Sequence, residues 1–458
     1  MQPMAVEDTL RSRNPGVGTG AAYRADGATD ARIEPRSPRR TARSHTSAAA
    51  IAAGGLLLLT ACGASPPEQE AAQVERIVVR AGQYPDAEEA ILRSSFRIGA
   101  ALTAEPTANQ VTSPLSALYA LSMLRAGAGT TTAAEMDAVL GLPVSHRDEA
   151  MNALLVEVQR FDGDPGDVDD DDPPRTPLLH LANGVFVAES GRVGEPFLEV
   201  LAQHYGSGVY PVDFGESSTA DRIDAWISKE TGGRVVKAPL PLDRDTVLSL
   251  LTTVYFAAGW EQPFEHTATA DATFTLADGT AADVPTMHAT PTVRYARGEN
   301  WTGIDLPYGE GFFMRLVLPD AGVAPAWTED GLSDIAAVLD DAEAQPVDLA
   351  LPSWDHAYGQ DLIPVLTALG LEESLGPAPD FDAIIPGAVV TGAGQSSTIT
   401  VAEKGTVAAA VTQITMAETA APMIPELSIA FDRPFGYQII HEDTGLPIFL
   451  GTVADPRP

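Results

Sequence analysis

Side chains that could act on a substrate are sparse in this sequence. Its 458 residues hold one cysteine, Cys62, and eight histidines. There is no Cys-x-x-Cys pair, no His-Glu-x-x-His and no glycine-rich phosphate loop, so disulfide, zinc-hydrolase and nucleotide chemistry lack their usual signatures. His288 and His441 show no ligand spacing and read as surface or structural groups. Seven aspartates crowd residues 162–174 among glycines and prolines. Their spacing does not match a calcium loop, and like charges this dense repel one another and stay solvated. No nucleophile–base set or metal cluster emerges, so an enzyme is disfavoured, and neither metal nor cofactor is expected. One segment stands out instead by its length and composition. Residues 403–412, Glu-Lys-Gly-Thr-Val-Ala-Ala-Ala-Val-Thr, follow a strand read at 397–402. From 405 to 425 about 21 residues lack strong periodicity, which is long for a structureless loop. Gly405 supplies a pivot, and the small, β-tolerant residues at 406–412 could enter a sheet at little steric cost. Composition alone leaves two other readings open: a helix through Ala408, Ala409 and Ala410, or an ordinary surface connection.

The start of the chain reads as an address. Arg39, Arg40 and Arg43 precede a short apolar stretch that ends Leu56-Leu57-Leu58-Leu59-Thr60-Ala61-Cys62, the layout of a secretion signal and too short for a comfortable membrane span. Leu59-Thr60-Ala61-Cys62 resembles the lipobox of bacterial lipoproteins. This implies cleavage before Cys62, its lipidation, and an extracytoplasmic, membrane-anchored or secreted location. A plain secreted protein with a buried cysteine is the other reading. Residues 1–61 are thus expected to be an extension and signal, with translation starting downstream of Met1 a further option. Residues 62–80 are expected to be a lipidated terminus and flexible tether, and 81–458 the folded domain. The formal net charge is −35, a surface that repels nucleic acid and anionic headgroups. Membrane contact is therefore expected through the anchor alone.

The positioning elements are those of an α+β domain. Hydrophobic residues make up 45% of the chain, enough for a sizeable core. Helical spacing marks 85–104. Ser113-Pro114 opens a buried helix over 114–126. Further helices are predicted over 131–140, closed by Gly141, over 220–230 with Trp226, and over 360–369, where Pro364 disturbs the pattern. Strands are predicted at 181–187, 248–257, 284–287, 303–307, 312–318, 397–402, 427–431, 435–440 and 447–453. The run at 248–257 is apolar on both faces, as a central strand should be.

An ordered set of blocks resembles the serpin family over roughly residues 85–458. Asn109-Gln-Val-Thr-Ser-Pro-Leu-Ser116 is similar to the family's opening of its second helix, and Gly127 to Glu135 to the stretch after it. Ala182-Asn183-Gly184-Val185-Phe186-Val187, Val254-Tyr255-Phe256 with Gly259-Trp260 and Phe264, Val284-Pro285-Thr286-Met287 and Leu306-Pro307-Tyr308 follow in order. Arg433-Pro434-Phe435 and Phe449 to Pro456 complete it, and Glu403 to Ala410 is close to the hinge of inhibitory members. The resemblance implies a large mixed sheet A of five strands, two smaller sheets, eight or nine helices and an exposed reactive-centre loop. It implies suicide inhibition by a monomer: a target serine protease attacks the loop, forms an acyl-enzyme, and is trapped when the cut loop enters sheet A. Gly405 and Thr406 would enter first. Thr406, Ala408, Ala410 and Thr412 would share the buried side, expected beneath the helix of Trp226. Trp260 would mark the breach where entry begins.

Against the family pattern the loop is a few residues long. Counting forward from Glu403 places the cut at Thr419-Ala420; counting back from Pro434-Phe435 points to Met423. Thr419 would suit an elastase-like pocket, and Met416 or Met423 an elastase- or chymotrypsin-like one. No lysine or arginine lies between 405 and 432, which disfavours a trypsin-like target. The polar cluster that controls sheet opening keeps its serines as Ser113 and Ser116. Thr252 replaces the usual asparagine and Gln395 the usual histidine, and both can still hydrogen-bond. Asp224 replaces asparagine before Trp226, and the aspartates of 162–174 stand where cofactor-activated relatives carry basic residues. A non-inhibitory surface protein of the same fold is the alternative function.

Overall fold

The computed structural model describes residues 64–457 apart from 106, 170, 240–243, 245, 326 and 407–424. Cys62, Ala408, Ala409, Ala410, Met416, Thr419, Ala420 and Met423 therefore lie outside the described residues. Among those described there are eight α-helices: α1 Pro85–Leu102, α2 Pro114–Ala126, α3 Thr130–Leu140, α4 Arg147–Gln159, α5 Glu195–Val200, α6 Thr219–Glu230, α7 Glu329–Asp340 and α8 Leu362–Leu369. The strands are β1 Gln110–Thr112, β2 Leu178–Ala188, β3 Val209–Val212, β4 Leu248–Gly259, β5 Ala270–Thr275, β6 Ala281–Ala289, β7 Thr292–Gly298 and β8 Trp301–Pro307. They continue with β9 Phe312–Pro319, β10 Ala344–Pro352, β11 Trp354–Asp361, β12 Val390–Ala402, β13 Gly405–Thr406, β14 Leu427–Ala430, β15 Phe435–His441 and β16 Pro447–Val453.

Local chemistry sets the helix ends as the sequence suggests. The Ser113 hydroxyl caps α2 by accepting from Ser116 N–H at 3.2 Å, with Pro114 in the first turn where no donor is needed. Gly141 ends α3 in the left-handed conformation, φ +70°. Pro364 lies in the first turn of α8, behind the Asp361 cap, so it interrupts no hydrogen bond.

Two sheets carry the fold. The first, sheet A, runs in the order β11-β12-β13-β4-β2-β3. All twelve residues of β4 are buried, because both faces are covered. Leu250, Val254, Phe256 and Ala258 face the main core; Leu251 faces α6, where it joins Phe186, Trp226 and Ile227. The second sheet runs β1-β16-β15-β9-β8-β7-β10-β6-β5, with β14 pairing β10. The two smaller sheets expected from the resemblance are thus joined through β10, which pairs β7 at one end and β6 and β14 at the other.

The segment expected as a tether is shorter than 62–80. Glu70 exchanges both backbone hydrogen bonds with Val209 on the edge strand β3, at 2.7 and 2.8 Å. Arg76 donates to Asn152 at 2.8 Å and to Gln159 at 2.6 Å, and Asn152 returns a bond to Ile77 O. A chain held at these points lies against the domain from Glu70 onward.

Candidate functional site: a hinge seated between two strands

The hinge leaves β12, turns at Glu403-Lys404 and re-enters sheet A as β13. Gly405 lies between Ala402 and Gly259, and Thr406 between Val401 and Ala258, antiparallel to both neighbours. Each neighbour shapes the turn. The Trp260 indole N–H donates to Ala402 O at 2.9 Å, and its backbone N–H donates to Lys404 O at 2.9 Å. Phe264 N–H donates to Glu403 O at 2.8 Å. The Glu403 carboxylate accepts from His266 Nδ1 at 3.0 Å and from Thr269 Oγ1 at 2.9 Å. Burial pushes this carboxyl up, but the bonds from His266, the backbone and Thr269 outweigh it and hold it below the usual range. Lys404 Nζ donates to Asp171 O at 2.6 Å, tying the hinge to the aspartate-rich loop.

Gly405 has no room for a side chain. A Cβ there would sit 2.1 Å from Ala258 O. Thr406 is buried, and its hydroxyl shares a hydrogen bond of 2.5 Å with the hydroxyl of Tyr308. Tyr308 in turn stacks on Trp260 with centroids 4.4 Å apart and an interplanar angle of 12°. This corrects one expectation. The face of Thr406 is the buried one, but it is the main-core face that holds Tyr308, Phe256 and Ala258. Helix α6 covers the opposite face. Alternation gives two faces and does not say which neighbour each one meets.

Below the hinge the seam is closed. β12 and β4 pair directly and in parallel, with Gln395 opposite Thr252 and Ser397 opposite Val254. The sequence offset between the strands is the same where β13 separates them (401 against 258) as where they touch (395 against 252). Opening the seam therefore needs separation and no sliding along this stretch.

A polar lock sits at the closed part. The Gln395 amide accepts from Ser113 N–H at 2.8 Å, donates to Ser113 O at 2.9 Å, and reaches Thr252 Oγ1 at 3.4 Å. Ser116 Oγ donates to Asn183 Oδ1 at 2.9 Å. Ser113, Ser116, Thr252, Gln395 and Asn183 are all buried. Asn183 lies on β2 within the block Ala182 to Val187, and only the strand pairing of Asn183 with Thr252 brings it to the lock. The hydroxyls of Thr253 and Ser397, in the same seam, are buried with no partner among the described residues. Such orphans destabilise the closed sheet.

Asp224, His441 and His288 lie away from the hinge. Asp224 Oδ1 accepts from Ala238 N–H at 2.8 Å. His441 is fully buried beside Phe312 and Phe161, and burial, then Arg160, lowers its pKa to about 4. His288 is exposed on β6. Among the described residues no group of three His, Cys, Asp or Glu could hold a metal ion, and no helix is long and apolar enough to cross a membrane.

The family model for serpins, serine protease inhibitors, matches residues 90–456. The chain is a serpin. Wheat serpin-Z1A is 28% identical over 395 residues, covering 80% of this chain and 95% of its own. A serpin-like protein of Thermococcus kodakarensis is 30% identical over 355 residues, covering 75% and 80%. Among solved structures, the thermophilic serpin tengpin in its native state superposes with a TM-score of 0.74 at 24% identity, over 85% of this chain and 100% of that one. Thyroxine-binding globulin in complex with thyroxine gives 0.68 at 23%, over 81% and 99%. These structures share the fold. Family membership supports a non-enzymatic, protease-inhibitor role of the kind typical of this fold.

Proposed function

We propose that this serpin is a suicide inhibitor of elastase-, subtilisin- or chymotrypsin-like serine proteases. The observation that carries the reading is the seated hinge: its first two residues already occupy a strand position between β12 and β4. Continuing that register would set residue 407 beside 400 and 257, and residue 412 beside Gln395 and Thr252. The cut loop would thus unzip the parallel ladder and break the Gln395 lock at its eighth strand residue. Small side chains at Thr406, Ala408, Ala410 and Thr412 suit the packed core face. Val407, Ala409 and Val411 would face α6. Insertion would replace one parallel ladder with two antiparallel ones, a gain in hydrogen bonds that suits a metastable starting state.

The protease serine would attack the carbonyl of the scissile residue. This forms the acyl-enzyme ester and releases the new amine on the loop's C-terminal part. Insertion would then carry the ester away before water reaches it, a kinetic trap. The preferred bond is Thr419-Ala420, with Met416 and Met423 as alternatives. The serpin is proposed to act as a monomer outside the cytoplasm of a bacterium, anchored through lipid on Cys62. Mass spectrometry of the membrane-extracted chain would show acylated Cys62 as the first residue; an unmodified or internal Cys62 would refute the anchor.

Inhibition is tested by mixing the chain with a protease panel, running a denaturing gel and weighing the released peptide. A denaturation-resistant adduct is expected, and the peptide mass fixes the bond. Clean cleavage across the panel with protease activity intact would instead favour the non-inhibitory alternative.

A further inference from the structure

His180, on the α6 face of β2, lies between two carboxylates from different elements. Its Nδ1 is 2.7 Å from Asp162 Oδ1, in the aspartate-rich loop, and its Nε2 is 2.7 Å from Glu230 Oε2, the last residue of α6. A neutral imidazole carries one N–H and can satisfy one of these acceptors; the other then faces a lone pair. Only the imidazolium donates to both.

The position matters for entry of the loop. His180 is the cross-strand partner of Tyr255, and in the register above residue 409 would lie on the other side of Tyr255. The chain after α6 leads over the same lane. Helix α6 packs on β2 and β4, whereas a Cβ at Gly359, on β11, would meet Pro239 at 3.5 Å. Between those contacts the backbone must cross the β4–β12 seam. An inserting strand passes beneath α6 and its return segment, so the end of α6 must yield.

We propose that His180 is a proton-operated clip that pins the C-terminal end of α6 to sheet A beside the insertion lane, slowing loop entry when protonated and permitting it when neutral. This rests on the inhibitory reading above. Other charged groups among the described residues lie around the imidazole. Lys229 pairs with Glu230 at 3.2 Å. Arg234 lies over the Tyr255 ring at 6.0 Å. Arg160, near Asp162, is engaged by Glu157 and Asp443. Asp164 accepts from Gly166 N–H within its own turn, which also holds Asp167. Burial pushes the imidazole down, but the bonds to Glu230 and Asp162 outweigh it and raise its pKa. A group raised in the folded state contributes below its unfolded pKa and is lost as pH rises through the folded one, so the clip weakens toward alkaline pH.

The test compares the intact chain with His180→Gln, and with Glu230→Gln should the first variant fold poorly. Amide hydrogen exchange over residues 219–234 is followed across the histidine titration range. Protection in the unaltered chain should exceed that in the variant by about two- to five-fold at low pH, as for a partly exposed charge-assisted bridge, and the two should converge as pH rises. A constant ratio at every pH would overturn the clip. The split between trapped adduct and cleaved chain is then measured with one protease at each pH. The variant's split should stay flat relative to an unaltered chain that traps better at higher pH. A shared pH profile would show that the clip does not govern entry. Absence of adduct with any protease would instead remove the inhibitory reading, while the exchange ratio would still decide the clip.

Discussion

The two ends of one seam contrast. At the upper end Gly405 and Thr406 separate β12 from β4, held by Trp260, Tyr308 and the Glu403 anchor. At the lower end the same two strands pair directly, and Gln395 fastens them to the cap of α2 through Ser113. From Gly392 opposite Ser249 up to the hinge the strands keep one relative register; what differs is whether small residues or a polar lock fills the seam. A sheet can thus be built to accept a strand at one end and resist it at the other, with no change in strand order.

The largest expected effect comes from blocking the upper end. Thr406→Arg would place an unpaired cation against Tyr308, which costs several kcal/mol or expels the hinge. Adduct yield on the gel should fall by about 100-fold or more, with cleavage preserved. Gln395→Ala acts at the lower end. It strips both bonds from Ser113 and leaves a buried backbone N–H unpaired, a loss of about 1–3 kcal/mol. The intact chain should unfold at a lower denaturant midpoint and convert faster on warming to a loop-inserted form. Gly405→Ala meets Ala258 O at 2.1 Å and should push β13 out of the seam. A change in Trp260 fluorescence would report it, and an unchanged spectrum would show that the clash is relieved otherwise. Tyr308→Phe removes one hydroxyl partner from Thr406 and should cost about 1 kcal/mol. Acidification should have the smallest effect on the hinge. The Glu403 carboxyl is lowered in the fold, so its contribution is present above the unfolded carboxyl pKa and is lost as pH falls through the folded value. His266→Gln should flatten that dependence in the hinge's exchange rates.

Much of this seam is legible in the sequence, because local signals carry it. Ser113-Pro114 announces α2, the apolar run at 248–257 announces a strand covered on both faces, and Gly405 precedes a small-residue stretch. The other wall of sheet A is not legible. β11 is built from Trp354, Asp355, His356, Ala357, Tyr358, Gly359, Gln360 and Asp361, a polar run whose strand character comes from pairing with β12. Helix α4 and strand β10 also escape the pattern reading. The docking of Glu70 on β3, the place of Asn183 in the lock and the His180 bridge all join residues distant in sequence, and no local rule encodes them. The side on which Thr406 is buried failed for the same reason: period two fixes a face, and only packing says that Tyr308 lies there.

The most direct test of the account is the stability of the chain after its loop is cut. A non-target protease is used to nick the segment 411–424, and the unfolding midpoint of the nicked chain is compared with that of the intact one. If the cut loop continues the register set by Gly405 and Thr406, the nicked chain should gain a central antiparallel strand and unfold well above the intact chain, in temperature and in denaturant. A nicked chain that unfolds at or below the intact midpoint would mean that the seam does not open, and would contradict the account.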